Sequence, residues 1–213
     1  LVCDGMGGAN KGDVASKLAI DSLSQAFRKK KRTPFAQFDK WWFTRACKDA
    51  NSLIYNQAEK NPAEKGMGTT MVAALISGDR LMIANIGDSR AYLVGKDTIK
   101  QLSEDQTYVH FLVETGKITP EQALTHPERH VLMNALGIYP SVSLTLSVHP
   151  YKGESLLLCS DGLYNQVPEK DILALVSTDE RADQTVTSLF CVANQNGGSD
   201  NEGIAYWESI GHD

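Results

Sequence analysis

The chain has 213 residues, of which 42% are hydrophobic, and it carries a formal net charge of -5 at neutral pH. This length is enough to bury a sizeable core, and a single domain over 1–213 is the simplest expectation. The acidic balance disfavours nucleic acids and anionic membranes as partners, because both are polyanions. The basic run at residues 28–32, RKKKR, follows an amphipathic segment and is interpreted as a solvated helix end.

The apolar segments are shorter than the ~18 residues that a membrane span needs, and no basic-then-apolar signal opens the chain, so we expect a cytoplasmic location. The first residues, LVCD, read as the middle of a strand, and we expect a piece ahead of Leu1 to be absent. The cysteines show no CxxC spacing and are predicted to be reduced thiols of the core, namely Cys3, Cys47, Cys159 and Cys191.

Apolar residues at three- and four-residue spacing predict helices over 12–29 and 38–60. Short β-rich runs follow, and they predict an antiparallel meander of three strands at about 70–77, 80–86 and 90–95, joined by turns at 78–79 and 87–88. Residues 108–136 are predicted to be helical, with a helix start at Thr119 and Pro120.

Strands at 142–150 and 154–162, helices at 168–177 and 182–196, and a last strand within 200–209 complete the prediction. The predicted order is a helix pair, several strands, a second helix pair and a last strand, which is typical of an α+β fold. In such a fold antiparallel sheets are covered by helices, unlike the parallel doubly wound arrangement.

The opening stretch LVCDGMGGANKG sets an aspartate inside a glycine cluster, which suits either a phosphate-binding loop or a metal ligand. Its spacing matches neither GxxxxGK[ST] nor GxGxxG, so the phosphate loop is disfavoured. Asp4 ends an apolar run, and the following glycines let the backbone approach an ion and offer a carbonyl oxygen, such as that of Gly5.

The same pattern recurs twice, at Asp161 in SLLLCSDG and at Asp200 in NGGSDNEG. Each fragment by itself is typical of a simple turn. If the strand ends converge, however, the three carboxylates form a hard-cation site, because clustered carboxylates repel one another unless a cation neutralises them. The histidines lack HxH or HxxxH spacing and are expected to be surface or structural residues, namely His126, His130 and His149.

Seven segments in order along the chain resemble the metal-dependent protein phosphatase family, the type 2C serine/threonine phosphatases, and its bacterial branch in particular. They are VCDGMGG, GMGTT, ANIGDSRAYL, LSEDQTYV, GKITPEQALTHPERHVLMNALG, LLLCSDGLYNQV and GGSDN. The resemblance implies a four-layer α-β-β-α sandwich of two antiparallel sheets flanked by helix pairs, with a metal centre at one end. The family's first strands, which carry an arginine that clamps phosphate, precede the motif with which this chain opens.

The resemblance also implies roles for single residues. Asp4 is similar to the carboxylate that bridges two Mg²⁺ or Mn²⁺ ions, and the Gly5 carbonyl is similar to a ligand of one of them. Asp161 and Asp200 resemble carboxylates that complete the second ion's shell, and Asp105 resembles the ligand of a third, weaker ion. Residues 107–135 resemble the flap beside the active site.

The implied activity is metal-dependent hydrolysis of phosphoserine and phosphothreonine in proteins, by a water held between the two ions. Eukaryotic members carry a histidine, assigned as the general acid, where Met6 stands. The expected partners are phosphoprotein substrates of a serine/threonine kinase, and the expected state is a monomer. Two alternatives stay open: an inactive relative that binds phosphoproteins or regulates, and a metal-dependent nuclease, which the acidic balance disfavours.

Overall fold

The computed structural model describes residues 1–31, 35–178, 181–198 and 200–208. The helices are α1 (Ala9–Lys29), α2 (Ala36–Lys60), α3 (Tyr108–Glu114), α4 (Pro120–Leu124), α5 (Asp161–Tyr164), α6 (Glu169–Val176) and α7 (Ala182–Gln195), with a 3-10 turn at Pro62–Glu64. The strands are β1 (Gly5–Met6), β2 (Gly68–Thr69), β3 (Met71–Ser77), β4 (Arg80–Ile86), β5 (Arg90–Val94), β6 (Ile99–Gln101), β7 (Thr145–Pro150), β8 (Ser155–Cys159) and β9 (Ile204–Trp207). The predicted α+β class is confirmed.

Two antiparallel sheets form the centre of the fold, one with strand order β3-β4-β7 and one with order β6-β5-β8-β9. The side chains of each central strand alternate between two environments, as the two-residue period of a strand requires. One set from both sheets packs between them, and it includes Val72, Leu81, Ile83, Ala91, Leu156 and Leu158. The sheets therefore lie face to face.

Helices cover the outer face of each sheet. The opposite side chains of β3 and β4 pack on α1 and α2, in a cluster that includes Ala19, Leu23, Ala50, Ile54, Met71, Met82 and Ile86. The side chains of β5 and β8 that point away from the other sheet pack on the helices α5 to α7, in a cluster that includes Tyr92, Leu157, Leu163, Ile172 and Leu189. The resulting order of layers is α-β-β-α.

The predicted three-strand meander is wrong at its second turn. β3 and β4 pair as a hairpin, but β5 belongs to the other sheet and pairs with β6 and β8. Gly87 has φ +95°, and a Cβ there would lie 2.8 Å from Thr70 Cγ2, so the chain passes close to Thr70 as it crosses between the sheets. A Gly-Asp pair suits a hairpin turn and a crossing equally well, and local sequence does not distinguish them.

Residues 108–136 are helical only in α3 and α4, so this prediction is correct in part. The start at Thr119 is confirmed, because its hydroxyl accepts from the Gln122 amide while the Gln122 side chain accepts from the Thr119 amide. Beyond α4 the backbone bridges to distant segments instead, with Thr107 opposite Leu132 and Thr69 opposite Leu136. Those bridges use backbone groups that a longer helix would need for itself.

The four cysteines are free, and Cys47 and Cys159 are buried, as predicted. Cys191 is exposed, which corrects its assignment to the core. The buried residues of α7 recur every four positions, at Thr185, Leu189 and Ala193, and Cys191 lies on the opposite side of that helix. The basic run is exposed at Arg28, Lys29 and Lys31, as predicted for a solvated end of α1, but the Lys30 side chain is only 10% exposed and its Nζ pairs with Asp39 at 2.6 Å. Arg32 falls outside the described residues. In the described ranges every helix is too short or too polar to span a bilayer.

Candidate metal centre

A cavity of about 390 Å³ opens beside the ends of β1, β4 and β8. Its lining brings together Asp4, Gly5, Asp161 and Asp200, which the sequence places far apart. The other lining residues are Met6, Thr70, Asp88, His130, Leu132, Gly162, Asn165 and Gln166. The convergence on which the sequence-based hypothesis depends is therefore present in the fold.

Two adjacent threonines hold the backbone of Asp4. The Asp4 amide donates to Thr70 Oγ1 at 3.0 Å, and its carbonyl accepts from the Thr70 amide and the Thr69 hydroxyl, both at 2.8 Å. Ahead of Asp4 a single bridge joins Val2 to Val72, and the continuous apolar strand expected over residues 1–4 is not formed. The position of the Asp4 carboxylate is thus set by contacts with residues 69–72.

Close backbone packing between two glycines brings the loop of Asp4 against the first turn of α1. A Cβ on Gly5 would lie 2.2 Å from the Gly12 carbonyl oxygen, and one on Gly12 would lie 2.6 Å from the Gly5 carbonyl carbon. No side chain fits at such distances, so both positions require glycine for space. The requirement explains one glycine of the GMGG cluster and a second glycine inside α1.

Ser160 ties the strand end that carries Asp161 to the segment that carries Asp200. The Ser160 amide donates to the Gly203 carbonyl at 2.9 Å, and its hydroxyl donates to the Asn201 carbonyl at 3.1 Å. The Gly203 amide in turn donates to Ser160 Oγ at 2.8 Å. Asp161 begins α5 directly after Ser160, so these bonds set it beside the segment that leads from Asp200 into β9.

The carboxyl groups in the cavity interact strongly with one another. Burial, followed by the interaction with Asp161 and the charge of Asp200, raises the pKa of Asp4 to about 7. Burial, followed by the charge of Asp200, also raises the pKa of Asp161. The charge of Asp161 thus favours a proton on Asp4, because two carboxylates so close together repel when both are ionised, whereas the interaction with Asp4 lowers the pKa of Asp161.

Asp88, which was predicted only as part of the turn at 87–88, is a further functional candidate. Burial, followed by the charges of Asp161 and Asp105, raises the pKa of Asp88 to about 7. Its carbonyl accepts a hydrogen bond from the Tyr164 hydroxyl at 3.1 Å. Asp88 lies beside a glycine just after β4, as Asp161 does just after β8, so a signal was present in the sequence.

Two further side chains enter the cavity without a sequence signal. His130 lines it, although its spacing to other histidines predicted a surface or structural role, and its charge lowers the pKa of Asp161. Asn165 lies one helical turn after Asp161, and its amide donates to Asp161 Oδ2 at 3.2 Å. The His130 contact depends on how separate segments meet in the fold, whereas the Asn165 contact is local to α5.

Asp105 lies in an adjoining cavity of about 690 Å³, whose lining also includes Asp88, His130 and Asn165. Arg90 Nε donates to both carboxylate oxygens of Asp105 at 3.1 Å, and Arg90 Nη2 donates to Oδ2 at 2.6 Å. Gln101 donates a further bond to Oδ1 at 2.9 Å. Protein groups therefore hold the Asp105 carboxylate. The role of Asp105 as a ligand of a third metal ion stays a prediction.

The donor set of the first cavity fits divalent cations that prefer oxygen ligands. Four carboxyl groups share it, and Asp4 and Asp88 have pKa values near 7 because the cavity disfavours their charged forms. A bound cation removes that cost by neutralising the carboxylates, and Mg²⁺ and Mn²⁺ both accept such ligands. The residues therefore match the two-ion centre that the resemblance implies.

Comparison with known proteins agrees with this geometry. The family profile described as Protein phosphatase 2C matches residues 1–201. A serine/threonine phosphatase, stp, of Listeria innocua is 39% identical over 202 residues, which cover 94% of this chain and 80% of that protein. Relatives of this kind therefore match this chain along nearly all of its length.

Solved structures are similar over the same extent. The serine/threonine phosphatase Stp1 of Staphylococcus aureus superposes with a TM-score of 0.91 and 37% identity, covering 98% of this chain and 82% of that chain. The catalytic domain of a serine/threonine protein phosphatase PstP, solved in complex with two manganese ions, has a TM-score of 0.83 and 35% identity, covering 96% of this chain and 84% of that chain. Motifs, layers, cavity and relatives agree, and the chain belongs to the protein phosphatase 2C family.

Proposed function

We propose that this chain hydrolyses phosphoserine and phosphothreonine in proteins, and that the carboxylate cavity is its active site. The observation that carries the proposal is the meeting of Asp4, Asp161 and Asp200 in one cavity, in a member of a family of serine/threonine phosphatases. A cavity lined by ionised carboxylates repels a phosphate dianion. Substrate binding therefore requires cations in the site, and metal dependence follows from the charge of the lining.

Asp4, Asp161 and Asp200, with the carbonyl of Gly5, would hold two Mg²⁺ or Mn²⁺ ions. When bound, such ions acidify water towards hydroxide and neutralise charge that develops on the phosphoryl oxygens. The protein's part is to hold the segments that carry the carboxylates close together, through the bonds that Thr70 and Ser160 make. Asp105 is our candidate ligand for a third ion, and Asp88 is a further carboxylate next to Asp161.

The adjoining cavity of about 690 Å³ is our candidate for the surface that receives the protein substrate. It shares Asp88 and His130 with the carboxylate cavity and adds two cationic side chains, Arg90 and Arg129. Much of its wall comes from α3, α4 and the residues after them, within the proposed flap at 107–135. We infer that phosphoproteins made by a serine/threonine kinase enter from this side, and that the chain acts as a monomer.

One assay tests the activity: phosphate release from p-nitrophenyl phosphate and from a phosphothreonine peptide, with Mn²⁺ or Mg²⁺ and with EDTA. We expect turnover of both substrates with metal and none with EDTA. Turnover that survives EDTA would overturn the metal-dependent mechanism. Binding of the phosphopeptide without turnover under every metal condition would instead favour the inactive, phosphoprotein-binding alternative.

A further inference from the structure

Three potential metal ligands converge outside the carboxylate cavity, at the base of the proposed flap. Glu104 precedes α3, while His110 and Glu114 lie one turn apart on that helix. His110 Nε2 lies 3.2 Å from Glu104 Oε1 and 3.8 Å from Glu114 Oε1, and one ligand atom from each residue falls within 4.8 Å of the others. The family assignment gives these three side chains no role in the catalytic centre.

The backbones that present these side chains are held in place. The carbonyl of Glu104 accepts a hydrogen bond from Asn85 Nδ2 of β4 at 2.7 Å. The His110 amide donates to the hydroxyl of Thr107 at 3.2 Å, which caps the start of α3. The helix itself is anchored by its buried side chains, Val109 and Leu112. The ligands thus come from two separately fixed segments, so little ordering is needed to bring them together.

The donor set differs in kind from that of the carboxylate cavity. It combines an imidazole nitrogen with two carboxylates, a set that Zn²⁺ binds readily, whereas Mg²⁺ prefers oxygen ligands alone. Two carboxylates approach the same imidazole nitrogen, so they cannot both make ideal hydrogen bonds to it. A cation between the three groups would satisfy both carboxylates and the nitrogen at once.

We propose that Glu104, His110 and Glu114 bind a Zn²⁺ ion that cross-links the segment before α3 to α3 itself. Water molecules would complete its coordination, since Glu104 and Glu114 are exposed. Glu104 is the neighbour of Asp105, and His110 lines the adjoining cavity together with Asp105. A cross-link here would therefore restrain the first helix of the flap next to the proposed substrate surface.

The test uses the whole chain with the carboxylate cavity saturated by Mg²⁺, titrated with Zn²⁺ in a calorimeter. Loss of an outer-shell partner already weakens metal sites by about 10–100-fold, so loss of a direct ligand should exceed about tenfold. We expect His110→Ala and Glu114→Gln to lose one Zn²⁺ equivalent, or to bind it at least about tenfold more weakly. His149→Ala, which removes a histidine of β7 bonded to Ser147, should bind Zn²⁺ like the wild type.

A second readout reports the cross-link and does not depend on catalysis. Hydrogen exchange of the amides in 107–115 should slow on Zn²⁺ addition in the wild type and stay unchanged in Glu114→Gln, an exposed substitution that the fold tolerates. Equal Zn²⁺ stoichiometry and affinity in the wild type and both ligand variants would overturn the proposal, and the three residues would then form ion pairs only. Because binding is measured, an inactive enzyme would not affect the result.

Discussion

Asp4 and Asp161, which are far apart in the sequence, line one cavity, where the charge of Asp161 acts on the Asp4 carboxyl group. Burial and the charge of Asp161 raise the pKa of Asp4, while burial and the charge of Asp200 raise the pKa of Asp161. Such an arrangement costs stability in the metal-free protein and is relieved by bound cations. The energetic conflict between these two residues is the basis of the first two predictions.

Asp161→Asn should have opposite effects on activity and on metal-free stability. Loss of a metal ligand should lower phosphate release with Mn²⁺ by about 100-fold or more, equivalent to roughly 2.7 kcal/mol of transition-state stabilisation. Loss of one charge should raise the melting temperature in EDTA, because Asp4 is no longer repelled. Kinetics and thermal unfolding measure the two effects. Asp183→Asn, an exposed carboxylate on α7, should change neither, and a metal-free Asp161→Asn protein that melts below the wild type would contradict the repulsion argument.

The metal-free protein should lose stability as the pH rises from about 4 to about 7. Asp4 and Asp88 have a raised pKa of about 7 in the folded chain against an ordinary 3.8, so the folded state binds protons more tightly than the unfolded state. That stabilisation is complete below the ordinary value and is lost as the pH passes through the folded value. Melting temperatures in EDTA, taken relative to an Asp4→Asn, Asp88→Asn double variant, measure it.

The melting temperature of the wild type in EDTA should decrease relative to that of the double variant as the pH increases. A shift of roughly 2–4 °C corresponds to 1 kcal/mol in a chain of this size. Added Mg²⁺ or Mn²⁺ should remove most of the wild type's pH dependence, since cations replace protons on the carboxylates. If the difference in melting temperature between the wild type and the double variant is the same at pH 4 and pH 7, Asp4 and Asp88 do not have raised pKa values.

Gly12→Ala should destabilise the protein and weaken metal binding, although alanine usually stabilises a helix interior relative to glycine. The new Cβ would lie 2.6 Å from the Gly5 carbonyl carbon and 3.0 Å from the Met6 amide nitrogen, both of them backbone atoms. We expect a cost of about 1–3 kcal/mol in the free energy of unfolding, and a lower Mn²⁺ affinity because Gly5 is displaced.

Denaturant unfolding and Mn²⁺ calorimetry measure the effects of Gly12→Ala. The control is Gly78→Ala, in the hairpin turn between β3 and β4, where φ is +63° and a Cβ meets no atom within 4 Å. It should cost about 1–2 kcal/mol from backbone strain and leave Mn²⁺ affinity unchanged. If Gly12→Ala binds Mn²⁺ as tightly as the wild type, the packing of Gly12 on Gly5 does not position the metal centre.

Arg90→Lys should lower stability even though the charge is kept. Arg90 makes a forked contact with Asp105, donates to the Tyr92 hydroxyl at 3.2 Å and stacks 3.7 Å from the Tyr164 ring centre. A lysine cannot reproduce the fork or the stacking, and the loss should be about 1–3 kcal/mol in denaturant unfolding.

The matched control for Arg90→Lys is Arg45→Lys. Arg45 pairs with Asp49 on the exposed face of α2, where both side chains are more than half exposed. Exposed pairs contribute little, so this variant should stay within about 0.5 kcal/mol of the wild type. Equal effects of the two substitutions would show that the geometry around Arg90 contributes no special stability.

Local patterns predicted the long helices and most of the longer strands, and they failed where contacts with distant residues decide the structure. The three-and-four spacing of apolar residues predicted α1 and α2, and Thr119 with Pro120 predicted the start of α4. The prediction that β4 pairs with β5 was wrong, because a Gly-Asp turn gives no sign of the sheet to which the next strand belongs. The helix predicted beyond α4 was also wrong, because the partners of residues 125–136 are distant in sequence.

The sequence by itself determined the period of each element, the family motifs and the candidate carboxylates at strand ends, because those depend on residues close together along the chain. Only the tertiary structure decided that Asp88 and His130 join the cavity, that Arg90 holds Asp105, and that Glu104 meets His110. The physical reason is that distances between remote residues depend on how the two sheets and their helices pack, and that packing is a property of the whole core.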